Sequence, residues 1–373
     1  MKVGIIMPLG HMKGGAEIML LHLLRANKQT EGVDYTIIFF ERGPLVTAVE
    51  QLGYPVQVYE TGRLRHVIAY TRAVHWLYRW IKREKIGIAL SWMSKGHLYA
   101  GLAAKLAGID AVWFQHGVAA RTLMERCINA IPAAAVLCPS QISKASQLKN
   151  NPKVRTEVLH PGVDLKLFEV RSLPSQEETR TKLGLPHPSR IVGIVARLQR
   201  WKGVHVFVEA ATYLKDKYPD VHFVIVGGSH PSEPDYLAQL QQQSSAAEMT
   251  DRIYFAGYQP DVPSWMQAMD IVVHSTVGIE PFGMTIIEGM ALGKAVIAAA
   301  AGGPLEIVAH GENGLLVPIN RATELAQAIS QLLKDEEEYR KLCLEGRKRA
   351  EQFSTQRLSE GMAVILQSLR IGA

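Results

Sequence analysis

The sequence predicts an α/β protein built from two doubly wound, Rossmann-like domains, and three observations predict it. The chain has 373 residues, whereas a single hydrophobic core rarely grows past roughly 250–300. Short β-branched runs alternate with helical patterns from end to end, in two successive series. The runs are continuously apolar rather than alternating, as parallel strands covered by helices on both faces must be.

The first series comprises residues 3–7, 35–40, 56–59, 86–91, 112–115 and 135–138. A stretch rich in Pro and charge, 173–190 (LPSQEETRTKLGLPHPSR), reads as a linker. The second series is 191–196, 221–227, 253–257, 271–274, 295–299 and 315–317. The expected domains are 1–168 on the acceptor side and 169–354 on the donor side. Residues 334–352 are helical in composition, and 354–369 suit one more helix with Ser354 as N-cap. That last helix, about 355–373, is expected to pack back on the first domain.

Hydrophobic content of 47% and charged content of 20% fit a soluble globular chain. No apolar run approaches the ~18 residues of a membrane span. The opening ten residues, broken by Pro8 and Gly10, read as a buried strand rather than a signal peptide. Cys127, Cys138 and Cys343 stand far apart, without disulfide or metal spacing, which points to a reducing cytoplasm. Residues 1–165 hold 20 Lys and Arg against 11 Asp and Glu, a balance of +9, while the remainder carries −3. A basic half suggests an anionic partner such as phospholipid or a phosphorylated substrate. Nucleic acid is not expected, because no binding motif accompanies the charge.

Ligands of open α/β sheets sit beyond the carboxyl ends of the strands, so the loops there carry the chemistry. The strongest signal is Glu280-Pro-Phe-Gly-Met-Thr-Ile-Ile-Glu288, followed by Gly-Met-Ala-Leu-Gly. Glu280 falls in a loop and 283–292 reads as a helix, so one carboxylate lies at a helix start and the other two turns on. The free N–H groups around Phe282, Gly283, Met284 and Thr285 form an anion site. Carboxylates beside it can accept from vicinal hydroxyls. Together they suit a sugar–diphosphate–nucleoside. Arg197 and Lys202 follow the strand at 191–196 and can flank a pyrophosphate whose charge grows as a glycosidic bond breaks. Gly14 and Gly15 follow the first strand without the G-x-G-x-x-G spacing of dinucleotide sites, yet let a ligand approach the backbone. Gly227 and Gly228 end one strand and Tyr258 follows the next; those loops are expected to frame the base. Lys95 is a further candidate, for the acceptor. There is no Asp-x-Asp and no His/Cys metal cluster, consistent with cations in place of a metal and with no cofactor.

These motifs resemble those of the family 4 retaining glycosyltransferases of GT-B fold (glycosyl transferases group 1). The resemblance covers nearly the whole chain. It includes Gly14-Gly15-Ala16-Glu17, 160–168 (HPGVDLKLF), 197–203 (RLQRWKG), Gly302-Gly303-Pro-Leu-Glu306 and 311–318 (GENGLLVP), besides the paired glutamates. It implies two domains facing each other across a cleft, with Glu288 on the ribose hydroxyls and Glu280 on the transferred sugar. It implies that His116 contacts the donor sugar and that configuration is retained by front-face attack. The expected reaction moves a sugar from a UDP-, GDP- or ADP-linked donor to an acceptor hydroxyl, in polysaccharide or glycolipid synthesis. Two rival enzymes are a sugar-nucleotide epimerase of the same shape and a nicotinamide-dependent oxidoreductase, the latter opposed by the missing glycine fingerprint. A non-catalytic binding protein is opposed by the intact set of charged residues.

Residues 63–85 (RLRHVIAYTRAVHWLYRWIKREK) form a basic amphipathic pattern. Val67, Tyr70, Val74, Leu77 and Ile81 share one face, and Arg65, Arg72, Arg79 and Arg83 the other with Trp76 among them. An exposed Trp ringed by Arg suits an anionic membrane surface, and hence peripheral attachment and a lipid-linked acceptor.

Overall fold

Val3, Ile5 and Met7 point to one face of the first strand and Ile6 to the other, and all four are fully buried. Gly4 leaves room for the ring of Trp80, which would lie 2.6 Å from a Cβ added there. A strand apolar on both faces needs helices on both, and the chain supplies them in alternation. The computed structural model describes residues 1–12, 14–30, 32–62, 66–120, 122–169 and 173–371.

The described elements begin with β1 (Lys2–Met7), α1 (Gly15–Asn27), β2 (Asp34–Phe39), α2 (Pro44–Gln51) and β3 (Val56–Val58). They continue with α3 (Val67–Arg83), β4 (Ile88–Trp92), α4 (Met93–Ala107), β5 (Asp110–Phe114) and α5 (Leu123–Asn129). β6 (Ala135–Cys138), α6 (Gln141–Asn150) and β7 (Thr156–Val158) complete a seven-stranded parallel sheet of order β3-β2-β1-β4-β5-β6-β7. β7 was not visible in the sequence, since its three residues include the polar Thr156 and Glu157.

A second sheet follows. It is preceded by α7 (Gln176–Leu183), then runs β8 (Ile191–Val195), α8 (Val204–Tyr213), β9 (His222–Val226), α9 (Tyr236–Ala246) and β10 (Ile253–Gly257). Next come α10 (Val262–Ala268), β11 (Ile271–His274), α11 (Met284–Ala291), β12 (Ala295–Ala299), α12 (Pro304–Ile307) and β13 (Leu315–Val317). Helices α13 (Ala322–Lys334), α14 (Glu336–Ala350) and α15 (Thr355–Ile371) close the chain. The six strands are parallel in the order β10-β9-β8-β11-β12-β13. The chain divides into one unit of Met1–Gly162 with Thr355–Ala373, and another of Val163–Ser354. In the first unit α15 lies against α1, and its Leu358, Met362 and Leu366 join the core under the sheet.

Three expectations are corrected. The stretch 173–190 is not a bare linker, because it contains α7. Ser175 caps that helix by accepting from the Glu178 N–H while the Glu178 side chain accepts from the Ser175 N–H. Arg180 is buried and pairs with Asp270 at 2.7 Å, tying α7 to the start of β11. The second correction is Trp76. It is half-buried and stacks on Tyr59 at 4.6 Å rather than standing free among arginines. Val67, expected on the same face as the buried Val74, Leu77 and Ile81, is instead 71% exposed, with Ile68 at 69%. Arg65 lies outside the described residues.

Candidate active site

The strand order of each parallel sheet reverses once, between β1 and β4 in the first unit and between β8 and β11 in the second. Loops leaving neighbouring strands on opposite sides of such a point diverge and leave a crevice at the carboxyl ends. In the second unit these are the loop after β8, with Arg197 and Lys202, and the loop after β11, with Glu280.

The two loops are stitched together. Gly203 adopts φ +69°, and a Cβ there would sit 1.8 Å from the carbonyl oxygen of Ser275, so only glycine admits this approach. Ser275 Oγ donates to the Gly203 carbonyl at 2.8 Å, and Thr276 Oγ1 donates to that of Trp201 at 2.8 Å. This holds Lys202 over the Trp201 ring, 3.9 Å from its centroid, and delivers Nζ to Glu280 Oε2 at 2.6 Å. His274, the last residue of β11, reaches the same oxygen through Nε2 at 3.2 Å. Burial alone would push the Glu280 carboxyl up, but the Lys202 charge and the His274 hydrogen bond outweigh it and hold it at about 2.

Glu288 is treated oppositely. It lies on the second turn of α11, is buried, and has no hydrogen-bond partner among the described residues. Burial raises its carboxyl to about 7. Two glutamates eight positions apart are therefore in different states, one ionised and held, the other near its titration point and without a side-chain partner among the described residues. Gly283 is the N-cap of α11, and Met284 and Thr285 are half-buried in its first turn. The Phe282 ring is in the core, edge-to-face with Phe353 at 5.6 Å, which leaves only its main chain for a ligand.

Arg197 is exposed and pairs with no carboxylate among the described residues. Arg200 is committed elsewhere, 5.0 Å over the Tyr236 ring with Nη2 on Gln239. Gly227 passes so close to Ala196 that a Cβ would meet its carbonyl oxygen at 1.8 Å, and Gly228 lies against Tyr258, whose side chain is 66% exposed.

The remaining candidates belong to the first unit. Gly14 is the N-cap of α1, and Gly15 is its first residue. Lys95 is half-buried in the first turn of α4. His116 follows β5 and stacks on Phe114 at 4.4 Å, with Trp92 at 4.8 Å. Its Nε2 is buried without a partner among the described residues, and burial lowers the ring to about 3, so it is neutral. Sequence reasoning missed His274; its position at the carboxyl end of β11 was the available signal. Among the described residues no group of His, Cys, Asp or Glu could hold a metal ion, and no helix is long and apolar enough to cross a membrane.

The family model described as Glycosyl transferases group 1 matches residues 175–349, and that described as Glycosyltransferase Family 4 matches 13–167. The D-inositol 3-phosphate glycosyltransferase of Corynebacterium urealyticum is 31% identical over 203 residues, 53% of this chain and 48% of that protein. The chain thus spans about half the length of that relative. Spore coat protein SA of Bacillus subtilis is 27% identical over 293 residues, 75% of this chain and 76% of that protein. Among solved structures, HepE of Anabaena in complex with UDP has a TM-score of 0.85 at 26% identity, covering 99% of this chain and 100% of that one. HepE has also been solved with UDP-glucose. A glycosyltransferase of Rickettsia africae shares the fold, with a TM-score of 0.88 at 22% identity over 100% of this chain and 99% of that one.

Paired parallel sheets of this topology, with charged loops at a switch point, define the class of GT-B glycosyltransferases. The chain belongs to glycosyltransferase family 4. The epimerase and oxidoreductase readings find no support in these comparisons.

Proposed function

We propose that this chain transfers a sugar from a nucleoside diphosphate sugar to an acceptor hydroxyl, with retention of configuration and without a metal. The observation that carries this reading is the pair of buried glutamates around the start of α11, one held ionised by Lys202 and the other unpartnered. Glu288 offers an uncommitted acceptor to the ribose hydroxyls. Glu280 offers an ionised acceptor to the hydroxyls of the sugar. The first-turn N–H groups of α11, with Arg197 and Lys202, take the diphosphate. As the bond from the anomeric carbon to the phosphate oxygen breaks, its electron pair stays on that oxygen, and the two cations stabilise the growing charge. The acceptor oxygen attacks from the same face, and its proton passes to the departing phosphate. HepE, solved with UDP and UDP-glucose, makes uridine-linked donors the first to test.

For the acceptor we propose a carbohydrate or lipid-linked molecule at an anionic surface. The +9 balance of residues 1–165 and the exposed Arg72 and Arg79 of α3 support it.

A thermal-shift screen of UDP-, GDP- and ADP-linked sugars, with chelator present, tests the donor. The cognate donor at 100-fold its dissociation constant should add about 2.7 kcal/mol. If no nucleotide sugar raises the unfolding temperature, or if a metal must be added first, the reading falls.

A further inference from the structure

His274 ends β11 with its ring buried beside the carboxylate it touches. Nε2 shares Glu280 Oε2 with the Lys202 ammonium, at 3.2 and 2.6 Å respectively. The other ring nitrogen, Nδ1, is buried and has no partner among the described residues. The carboxylate oxygen can only accept, so Nε2 carries the proton of this contact and donates to Glu280. Lys202 and His274 are the charged or titratable groups that bear on Glu280. They are holders of different kinds. Lys202 is an ammonium on a flexible four-carbon stem with 18% of its side chain exposed. His274 is a ring fixed at the end of a central strand, 6% exposed.

We propose that His274 is the positioning residue that keeps Glu280 ionised and aimed once a donor's diphosphate draws Lys202 away. This rests on the nucleotide-sugar reading above. A diphosphate carries more charge than one carboxylate and competes for the ammonium. Glu280 is then a buried carboxylate without its cation, a group that takes up a proton unless another donor satisfies it. Protonation would turn an acceptor oxygen into a donor and weaken its hold on sugar hydroxyls. The imidazole N–H cannot follow the phosphate as a long side chain can, so it stays on Oε2. Lys202 thus changes partner when the donor binds, and His274 does not.

Calorimetric titration of the full chain with UDP and with UDP-glucose, at acid and neutral pH, tests this on the wild type, His274→Leu and His274→Gln. The ratio of the two affinities in a variant, compared with that of the wild type at the same pH, isolates the sugar contact, because the ribose and phosphate differences between the two ligands are then common to both proteins. His274→Leu should leave UDP affinity unchanged and weaken UDP-glucose by about 10- to 100-fold, the range for losing a hydrogen bond to a charged group. The loss should be larger at acid pH. His274→Gln, whose amide nitrogen reaches the Nε2 position, should restore the ratio. An unchanged ratio in His274→Leu, a Gln variant no better than Leu, or UDP affinity falling as far as that for UDP-glucose overturns the role. A wild type that binds neither ligand overturns the uridine-donor reading along with it, whereas one that binds both with an unmoved ratio overturns only the role of His274. Should the Leu variant fail to fold, Gln against Asn answers the same question, since the shorter amide reaches only the Nδ1 position and should not restore the ratio.

Discussion

Glu288 is a buried acid without a side-chain partner among the described residues, and that has a cost in the free protein. Burial raises its carboxyl from 4.5 to about 7, so the folded state binds a proton that the unfolded chain releases. For a raised acid the sign is fixed: its contribution to stability is full below the ordinary value and is lost as pH rises through about 7. Above that, the buried charge costs on the order of 3 kcal/mol, from 1.36 kcal/mol per pKa unit. Glu288→Gln should therefore raise the unfolding temperature at alkaline pH and change it little at acid pH, while weakening UDP binding. Glu280→Ala should spare UDP and weaken UDP-glucose. Thermal melts across pH with paired calorimetric titrations check both variants. Unaltered UDP affinity in Glu288→Gln would remove this residue from the nucleotide contact. Glu280 behaves otherwise because Lys202 and His274 surround it, a difference no spacing of glutamates announces.

At the scale of elements, α3 shows how a helical pattern is read by its surroundings. Val74, Leu77, Trp80 and Ile81 pack into the core as the period demands. Arg83 is committed to Glu84 at 3.2 Å and Gln57 at 3.0 Å, while Arg72 and Arg79 remain exposed. The proposed membrane attachment therefore depends on two arginines and the exposed Val67 and Ile68. Each basic residue near an anionic surface contributes about 1 kcal/mol. Arg72→Glu with Arg79→Glu should abolish sedimentation with anionic liposomes and leave nucleotide binding intact. The wild-type attraction should fade with salt, as the Debye length falls from ~10 Å at 0.1 M to ~3 Å at 1 M. A wild type that stays in the supernatant at low salt would make α3 an ordinary packed helix. The stretch around α7 is the opposite case. Its Pro and charge content suggested a linker, yet the capping box at Ser175 and Glu178 was written in it.

At the scale of the molecule, the chain leaves its first unit after Gly162 and rejoins it at Thr355, so that unit is finished by residues far along the sequence. Leu366 of α15 is wholly buried in the core that contains Leu20, Leu23 and Leu24 of α1. Leu366→Ala should cost about 2–5 kcal/mol. Hydrogen exchange should show the loss in α1 and α15 while the strands of the second unit stay protected. Equal loss of protection in both units would mean that they unfold together.

The two sheets were legible because period and composition are local: the runs at 253–257, 271–274, 295–299 and 315–317 were read at the bounds they adopt. Glu280 and Glu288 were legible because eight residues across a loop and a helix bring both to the start of α11. β7 was not, because three half-polar residues become a strand only when β6 offers its edge. Nor was Trp76, whose exposure depended on Tyr59 from another loop. The sequence by itself determined the alternation of strands and helices in two series, apart from β7 and α7, and which residue types stand at the strand ends. Only the tertiary structure decided their states, since burial and neighbours set a carboxyl's charge: Lys202 and His274 make Glu280 an anion, and their absence leaves Glu288 poised to lose its proton.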